Sequence, residues 1–161
     1  MTEQEFTRAA EQYSDMIFRL AFHYCGNRYD ADDIVQTILL KLLRTTRPFD
    51  GEEHLRSWLL RVTINDCKKL LRAPWRCRHE ALEDYANELY ADIPEDSGLF
   101  LAVMELPKRY RVVTYLYYYE GYSVNEISQI IGSNPSTIRT RMQKARALLK
   151  AKLKEEWSDD E

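Results

Sequence analysis

Glycine, proline, histidine and cysteine are all scarce in this sequence, and no apolar run is long. The 161 residues include 5 glycines, 5 prolines, 3 histidines and 3 cysteines. No segment approaches the roughly 20 apolar residues of a membrane-spanning helix, and the first residues lack the pattern of a signal peptide. The chain has no Gly-rich phosphate loop and no nucleophile beside a base, so no catalytic set is recognised. We therefore expect a cytoplasmic protein that is not an enzyme.

The three cysteines, Cys25, Cys67 and Cys77, are an odd number and form no CxxC pair. They suit a reducing compartment, with one or two of them as small core residues. A zinc site built from His23, Cys25, Cys77 and His79 is an alternative, but these pairs lack the usual ligand spacing. We therefore expect no metal and no cofactor.

Strand patterns are missing as well, and helical periodicity takes their place. Apolar residues recur at steps of three and four in three segments, which predicts helices at about 3–25, 31–45 and 53–72. Asp30 is the predicted N-cap of the second helix. These helices predict one compact domain over residues 1–75.

A second group of helices is predicted beyond an acidic stretch. Residues 76–95 are acidic and weakly periodic, which favours a linker that contains at most one short helix. Helical segments at about 95–106 and 108–120 follow, and two more lie within 123–154. The predicted fold is all-α, with two small helical domains joined by an acidic linker, the second domain being residues 96–161.

The net charge of -3 conceals a strong segregation of charge. Residues 54–79 carry 7 Lys or Arg and one acid, residues 80–104 carry 7 acids and no Lys or Arg, and residues 105–154 carry 10 Lys or Arg and 3 acids. A polyanion that contacts both basic blocks would release counterions at each of them and gain affinity. This distribution favours nucleic acid as a ligand.

The stretch YSVNEISQIIGSNPSTIRTRMQKAR at 122–146 has the pattern of a helix-turn-helix. Ser123 and Glu126 form a capping box, Gly132 can end the first helix, and Pro135 suits the first position of the second. The second helix of such a motif enters the major groove of DNA. The alternative is a protein-interaction domain with a solvated basic face. The expected base-reading residues are Arg139, Thr140, Gln143 and Lys144, and the expected phosphate contacts are Arg141, Arg146 and Lys150.

The third predicted helix carries a second cationic face. Its members step by three and four residues and share one side of the helix: Trp58, Arg61, Asn65, Lys68 and Arg72. Cations beside an amide and an aromatic ring suit single-stranded nucleic acid, whose bases stack on aromatic side chains. The alternatives are core packing for Trp58 and a solvated face for the cations.

The second predicted helix, DADDIVQTILLKLLR at 30–44, begins acidic and continues apolar. Its carboxylates favour the positive end of the helix dipole. We also expect Asp30, Asp33 and Gln36 to form a docking surface for a basic partner protein. The tyrosines of YLYYYEGY at 115–122 are expected in the core with hydroxyls at its rim, or lining a groove for a partner helix.

Taken in this order, the segments resemble an extracytoplasmic-function (ECF) sigma factor, the small two-domain class of initiation factors of bacterial RNA polymerase. The resemblance rests on DADDIVQTILLKLLR, FDGEEHLRSWLLRVTINDCKKLLR and LPKRYRVVTYLYYYEGYSVNEISQIIGSNPSTIRTRMQKARALL, and it covers residues from about 5 to 153. It implies a factor that binds core RNA polymerase, recognises and melts promoter DNA, and is controlled by an anti-sigma factor.

The resemblance also implies roles for individual residues. The N-terminal domain resembles sigma region 2, whose docking surface for the β′ clamp helices of polymerase would comprise Asp30, Asp33, Ile34 and Gln36. Its third helix would open the minus-ten element, with DNA contacts from Trp58, Arg61, Asn65, Lys68, Lys69 and Arg72. The C-terminal domain resembles region 4, which docks on the β flap and would read the minus-thirty-five element with Thr137, Arg139, Thr140, Arg141, Gln143, Lys144 and Arg146.

Two other functions fit the residues alone. A stand-alone helix-turn-helix regulator would bind a palindromic duplex, as a dimer and without polymerase. A protein-binding adaptor of polymerase would keep its activity after substitution of Arg139.

Overall fold

A computed structural model describes residues 1–72 and 97–159 of the chain. The predicted linker at 76–95 lies outside these residues. The chain divides into two compact units, Met1–His79 and Glu80–Glu161. Every regular element of the described residues is helical, which confirms the all-α prediction.

The first unit contains three helices, α1 (Glu3–Cys25), α2 (Arg28–Arg44) and α3 (Glu52–Arg72), each packed against the other two. The predicted start of α1 is confirmed. Thr2 Oγ1 accepts a hydrogen bond from the Glu5 N–H at 3.1 Å, and the Glu5 carboxylate accepts one from the Thr2 N–H at 2.8 Å. The backbone hydrogen bond from Thr2 lowers the pKa of Glu5. The core of this unit contains Ile17, Leu20, Ile38, Leu42, Leu59, Leu60 and Ile64.

The α2 helix begins at Arg28, three residues earlier than the sequence pattern predicts. The prediction that Asp30 caps this helix is wrong, because Asn27 is the N-cap. The Asn27 side-chain oxygen accepts a hydrogen bond from the Asp30 N–H at 2.9 Å, and the Asn27 amide donates back to the Asp30 carboxylate. Asn is as good an N-cap as Asp, so the residue nearer the Gly26 turn starts the helix.

The second unit contains α4 (Ser97–Met104), α5 (Lys108–Thr114), α6 (Val124–Ile131) and α7 (Pro135–Asp159), with a π-helical turn at Tyr115–Tyr119. The long helix α7 packs against α4, α5 and α6 and is the centre of the unit. The core that surrounds it contains Val113, Leu116, Ile127, Ile138, Met142 and Ala145.

The π-helical turn replaces the end of the α-helix predicted at 108–120. The Glu120 N–H donates to the Tyr115 carbonyl, five residues earlier, at 3.2 Å. This wider turn buries Tyr115 but leaves Tyr118 and Tyr119 54% and 53% exposed. The expectation of a tyrosine core therefore fails for these two rings, which lie on the surface. Single π turns of this kind are frequent at functional sites.

Candidate nucleic-acid and polymerase interfaces

The cationic residues of α3 form one strip on the surface of the first unit. Its exposed members are Arg61, Asn65, Lys69 and Arg72, and its half-buried members are Trp58 and Lys68. Arg61, Lys69 and Arg72 make no ion pair with any described residue. The structure thus brings the predicted minus-ten residues together on a single side of the helix.

The one acid of this segment, Asp66, faces away from the strip. Its carboxylate pairs with Lys41 of α2, with 2.7 Å between Nζ and Oδ1, and its side chain is only 9% exposed. The pair links α2 to α3 inside the unit. Asp66 is therefore not a partner for Arg61, Lys69 or Arg72, which are exposed to solvent.

Trp58 connects the strip to the loop that precedes α3. Its ring meets Phe49 edge-on, with the centroids 5.2 Å apart, and Phe49 in turn meets His54 at 5.4 Å. Trp58 is half-buried, so its ring both packs against the loop and reaches the surface at one end of the strip.

The joint between α6 and α7 has the caps that the sequence predicts. Ser123 Oγ accepts a hydrogen bond from the Glu126 N–H, and the Glu126 carboxylate accepts one from the Ser123 N–H, both at 3.2 Å. Gly132 ends α6 in the left-handed conformation at φ 83°, which residues with a Cβ adopt at a cost. The turn presents α7 to solvent along most of its length.

The predicted minus-thirty-five residues lie on three sides of α7. Its buried stripe is Ile138, Met142 and Ala145. At 100° per residue, one flank carries Thr137 and Arg141, the other flank carries Arg139, Arg146 and Lys150, and Thr140, Gln143 and Lys144 point outward. All three outward residues are exposed.

The first flank borders a cleft of about 330 Å³ between α5 and α7, lined by Arg109, Tyr110, Ser136, Thr137, Thr140, Arg141 and Lys144. Arg109 Nη2 donates to the Tyr110 hydroxyl at 3.2 Å, and its guanidinium lies 4.5 Å from the ring centroid. The hydrogen bond from Arg109 lowers the pKa of Tyr110, and the charges of Arg109, Lys144 and Arg141 act in the same direction.

The second flank faces the π-helical turn. Arg146 Nε donates to the Tyr118 hydroxyl at 2.8 Å, and its guanidinium lies 5.8 and 5.9 Å from the ring centroids of Tyr117 and Tyr118. The hydrogen bond to Tyr118 raises the pKa of Arg146. Next to this contact is an apolar groove of about 650 Å³, lined in part by Leu99, Val103, Tyr118, Tyr119, Leu149 and Leu153.

The structure exposes only part of the docking surface that the sequence predicts on α2. Asp33 and Gln36 are exposed. Ile34 is 4% exposed and belongs to the core of the unit, and the Asp30 carboxylate is bound to the Asn27 cap. The correction follows from the register of α2, which turns Ile34 inward with Ile38 and Leu42.

Three exposed apolar side chains complete this side of α2. Tyr29, Leu40 and Leu43 are 65%, 48% and 53% exposed, and together with Asp33 and Gln36 they follow the helical steps of four, three, four and three. Sequence reasoning did not single out Tyr29 or Leu40. The spacing of three or four residues could have placed them on the same side of α2 as Asp33 and Gln36.

The described residues contain no cluster of three or more His, Cys, Asp or Glu side chains that could hold a metal ion. His23 Nδ1 donates to the Arg19 carbonyl at 2.7 Å, while Cys77 and His79 lie outside the described residues. Within the same ranges, the helices are too short or too polar to cross a bilayer.

Comparisons with known proteins match both units. The family model of sigma-70 region 2 matches residues 9–77, and that of sigma-70 region 4 matches residues 99–149. The RNA polymerase sigma factor SigV of Bacillus subtilis is 32% identical over 143 residues, which cover 86% of this chain and 85% of that protein. The ECF RNA polymerase sigma factor SigE of Mycolicibacterium smegmatis is 30% identical over 149 residues, which cover 86% of this chain and 58% of that longer protein.

A solved structure shares the fold. The sigma factor RpoE of Bartonella quintana, in complex with the anti-sigma factor NepR, superposes with a TM-score of 0.69 at 18% identity, covering 94% of this chain and 98% of that one. Sigma factors are polymerase subunits and not an enzyme class. On the two matched regions and the identity to SigV across most of both chains, this protein belongs to the ECF family of RNA polymerase sigma factors.

Proposed function

We propose that the two units of this sigma factor divide promoter recognition between them. Residues 1–75 dock on core RNA polymerase and melt the minus-ten element, residues 76–95 connect the units, and residues 96–161 read the minus-thirty-five element. The observation that supports this division most directly is the pair of unlike cationic surfaces, an open strip on α3 and the narrow outer edge of α7.

Docking of the first unit is assigned to the exposed side of α2. Tyr29, Leu40 and Leu43 offer apolar contact, and Asp33 and Gln36 offer polar contact to a basic partner helix. Interfaces of this composition, apolar in the middle and polar around it, are typical of protein partners. The β′ clamp helices of core polymerase are the proposed partner.

Melting is assigned to the strip on α3. Arg61, Lys69 and Arg72 follow a strand backbone, while Trp58 offers an aromatic ring and Asn65 an amide to an unstacked base. Extruding a base costs a few kcal/mol of stacking and pairing, roughly, which a pocket for the displaced base offsets. Because Lys41 holds Asp66 inside the unit, no carboxylate from α3 opposes the strand on this strip.

Reading of duplex DNA is assigned to the outward edge of α7 and to Arg139 beside it. Arg139 can pair with guanine and Gln143 with adenine in the major groove. The flanking cations, Arg141 and Lys144 on one side and Arg146 on the other, are placed to meet phosphates, which orient the helix without specifying sequence.

The apolar groove between α4, the π-helical turn and α7 is proposed as a partner site of the second unit. Leu99, Tyr118 and Leu153 line it, and Arg146, Lys150 and Lys154 also border it. We assign this groove to the β flap of polymerase, and we extend to this chain the control by an anti-sigma factor that the RpoE complex shows for its own sigma factor. The site of action is then the cytoplasm, where polymerase acts.

Neither DNA surface is large, so the free chain should bind DNA weakly. Core polymerase would hold both units near the promoter and raise their effective concentration. The test is transcription by core polymerase and the purified chain on a library of promoter sequences. We expect transcripts from a subset that shares two spaced elements, and no tight duplex binding by the chain alone.

A docking variant makes that test specific. Leu40→Arg places a charge in the middle of the exposed α2 side without touching the core, so the chain should stay folded, fail to bind core polymerase and give no transcript. Glu11→Ala, which removes an exposed charge from α1 of the same unit, is the matched control and should retain activity. Tight binding of a palindromic duplex without polymerase, and no transcript from any sequence, would establish a stand-alone regulator instead.

A further inference from the structure

The cleft between α5 and α7 collects cations from two helices that are distant in sequence. Arg109 comes from the first turn of α5, and Arg141 and Lys144 come from α7. The residues that line the cleft include three cations and no carboxylate among the part of the chain that the structure describes. Neither Arg141 nor Lys144 makes an ion pair with a described residue.

Tyr110 is the fixed point of this cleft. Its side chain is 7% exposed and packs with Leu106 and Ala145 in a small core cluster, to which Leu149 adds. Its hydroxyl accepts a hydrogen bond from Arg109, which leaves the O–H proton available for an acceptor in the cleft. Because the ring is buried, the Tyr110 hydroxyl and the Arg109 guanidinium bonded to it are already held in place. Little side-chain conformational entropy is then lost when a ligand binds them.

The first turn of α7 forms another wall of the cleft. Ser136 and Thr137 lie there, and backbone N–H groups in the first turn of a helix have no acceptor within the helix. The positive end of the helix dipole points the same way. Hydroxyls, guanidinium, ammonium and backbone N–H groups are all donors, so the cleft suits a ligand that only accepts hydrogen bonds and carries negative charge.

From these contacts we infer that the Arg109–Tyr110 pair, with Arg141 and Lys144, clamps one phosphodiester of the promoter backbone beside the segment that α7 reads. The inference rests on the proposed function, because it places duplex DNA along α7. It adds two residues outside the helix-turn-helix to the DNA surface. Tyr110 donates its O–H to a phosphate oxygen, and the three cations neutralise its charge.

Promoter DNA is the favoured ligand of the cleft, ahead of free phosphate, because the cleft opens beside the outward side of α7. Thr140 and Lys144, which point outward with Gln143, also line the cleft. When the outward side of α7 meets base edges in the major groove, a phosphate backbone runs along each flank of the helix, and Arg141 and Lys144 lie on the flank that borders this cleft. Free phosphate presents the same chemistry and is therefore the comparison in the test.

The test uses holoenzyme, the full chain bound to core polymerase, on promoters that carry one neutral methylphosphonate at a time across the minus-thirty-five element. For the wild type, we expect one position on one strand where neutralisation weakens binding by about tenfold, the effect of losing a charged hydrogen-bonded contact. With Arg109→Ala, neutralisation at the same position should have a clearly smaller effect, because one of the three cations and the partner of Tyr110 are lost. Arg139→Ala is the matched control, because it should weaken binding yet keep the sensitivity to that phosphate.

Two further measurements test whether the loss comes from the phosphate contact itself. Tyr110→Phe preserves the packed ring and removes only the donor, and it should lose part of the same coupling. The slope of log affinity against log salt should fall by about 0.9 in Arg109→Ala, the value for one phosphate contact in B-DNA. Equal phosphate sensitivity in wild type and Arg109→Ala overturns the inference.

Inorganic phosphate, titrated onto the full chain alone, separates the two sources of the ligand. Weak or no saturable binding is expected, since a single phosphate lacks the rest of the duplex. Saturable binding that depends on Tyr110, without any coupling to a promoter phosphate, overturns the assignment to DNA. Absence of transcription from wild-type holoenzyme would instead refute the proposed function, so the two failures are distinct.

Discussion

The two cationic helices of this sigma factor present their charge in different ways. On α3 the cations share one exposed side, and the single acid of the segment is turned inward to Lys41. On α7 they lie on three sides, and tyrosines occupy two of these, Tyr110 on one flank and Tyr118 on the other. An open strip suits an extended single strand, whereas a narrow edge between anchored cations suits a helix lying in the major groove.

This difference shows that the charge of a segment does not define its DNA surface. Residues 54–79 and 105–154 have similar excesses of positive charge in the sequence. Packing then removes an acid from one surface and fixes an arginine on each flank of the other. Substitutions on one helix that leave the other unchanged therefore separate the two surfaces.

The largest effect is expected on α3. Arg61→Ala combined with Asn65→Ala should reduce initiation on an intact promoter by roughly 100-fold, because a charged contact worth about 1.5–3 kcal/mol and a neutral hydrogen bond worth about 0.5–1.5 kcal/mol are lost. A promoter with mismatched bases at the minus-ten element should recover most of this loss, since it is already unpaired. The measurement is the rate of abortive transcript formation by holoenzyme.

Arg8→Ala is the control for that double variant, because it removes an exposed cation from α1 of the same unit. It should leave the rate unchanged on both templates. If the α3 variant were equally defective on the mismatched promoter, melting would not be the step that Arg61 and Asn65 serve.

On α7, Arg139→Ala should weaken promoter binding about tenfold and relax the base preference at one position, since one paired base contact is worth about 1–3 kcal/mol. The mismatched minus-ten promoter should not rescue this variant. Selection of promoters from a randomised minus-thirty-five library is the readout. Unchanged base preference would mean that Arg139 contacts only the backbone.

The pair between exposed Lys41 and buried Asp66 tests why the α3 strip is free of acid. Lys41→Met leaves the Asp66 carboxylate buried without its partner and should lower the free energy of unfolding by about 1–3 kcal/mol. Lys41→Met with Asp66→Leu should restore part of that loss, because no buried carboxylate is then left without a partner. Urea unfolding of the full chain gives the comparison, and purely additive losses would show that the two residues do not interact.

The smallest effect is expected at the π-helical turn. Tyr118→Phe removes the hydrogen bond to Arg146 but keeps the ring, and it should weaken promoter binding by about twofold to fivefold, equivalent to ~0.5–1 kcal/mol. Arg146→Ala removes the cation as well and should lose more. Equal losses in the two variants would indicate that Arg146 acts only through Tyr118.

Local features of the fold could be predicted from the sequence. The capping box of Ser123 and Glu126 and the left-handed Gly132 depend on residues within one turn of each other, and both are confirmed. The start of α2 was predicted wrongly because Asn27 and Asp30 are both good caps and the pattern does not choose between them. The π-helical turn was missed since YLYYY contains no breaker and reads as ordinary helix.

Features that join distant residues could not be predicted. The Lys41–Asp66 pair spans 25 residues, and the cleft at Tyr110 depends on how α5 packs against α7. Sequence periodicity assigns a residue to a side of its own helix but not to a neighbour on another. For the same reason, Ile34 was assigned to a docking surface although the packing of α2 turns it inward.

Permanganate reactivity of minus-ten thymines is the most direct test of the division between the two helices, because permanganate oxidises thymines only where they are unstacked. Holoenzymes with Arg61→Ala/Asn65→Ala and with Arg139→Ala are compared at concentrations that saturate the promoter. The division predicts that the α3 variant occupies the promoter with unreactive thymines, while the α7 variant, once bound, gives wild-type reactivity. Full reactivity in the α3 variant, or loss of reactivity in the saturated α7 variant, would contradict it.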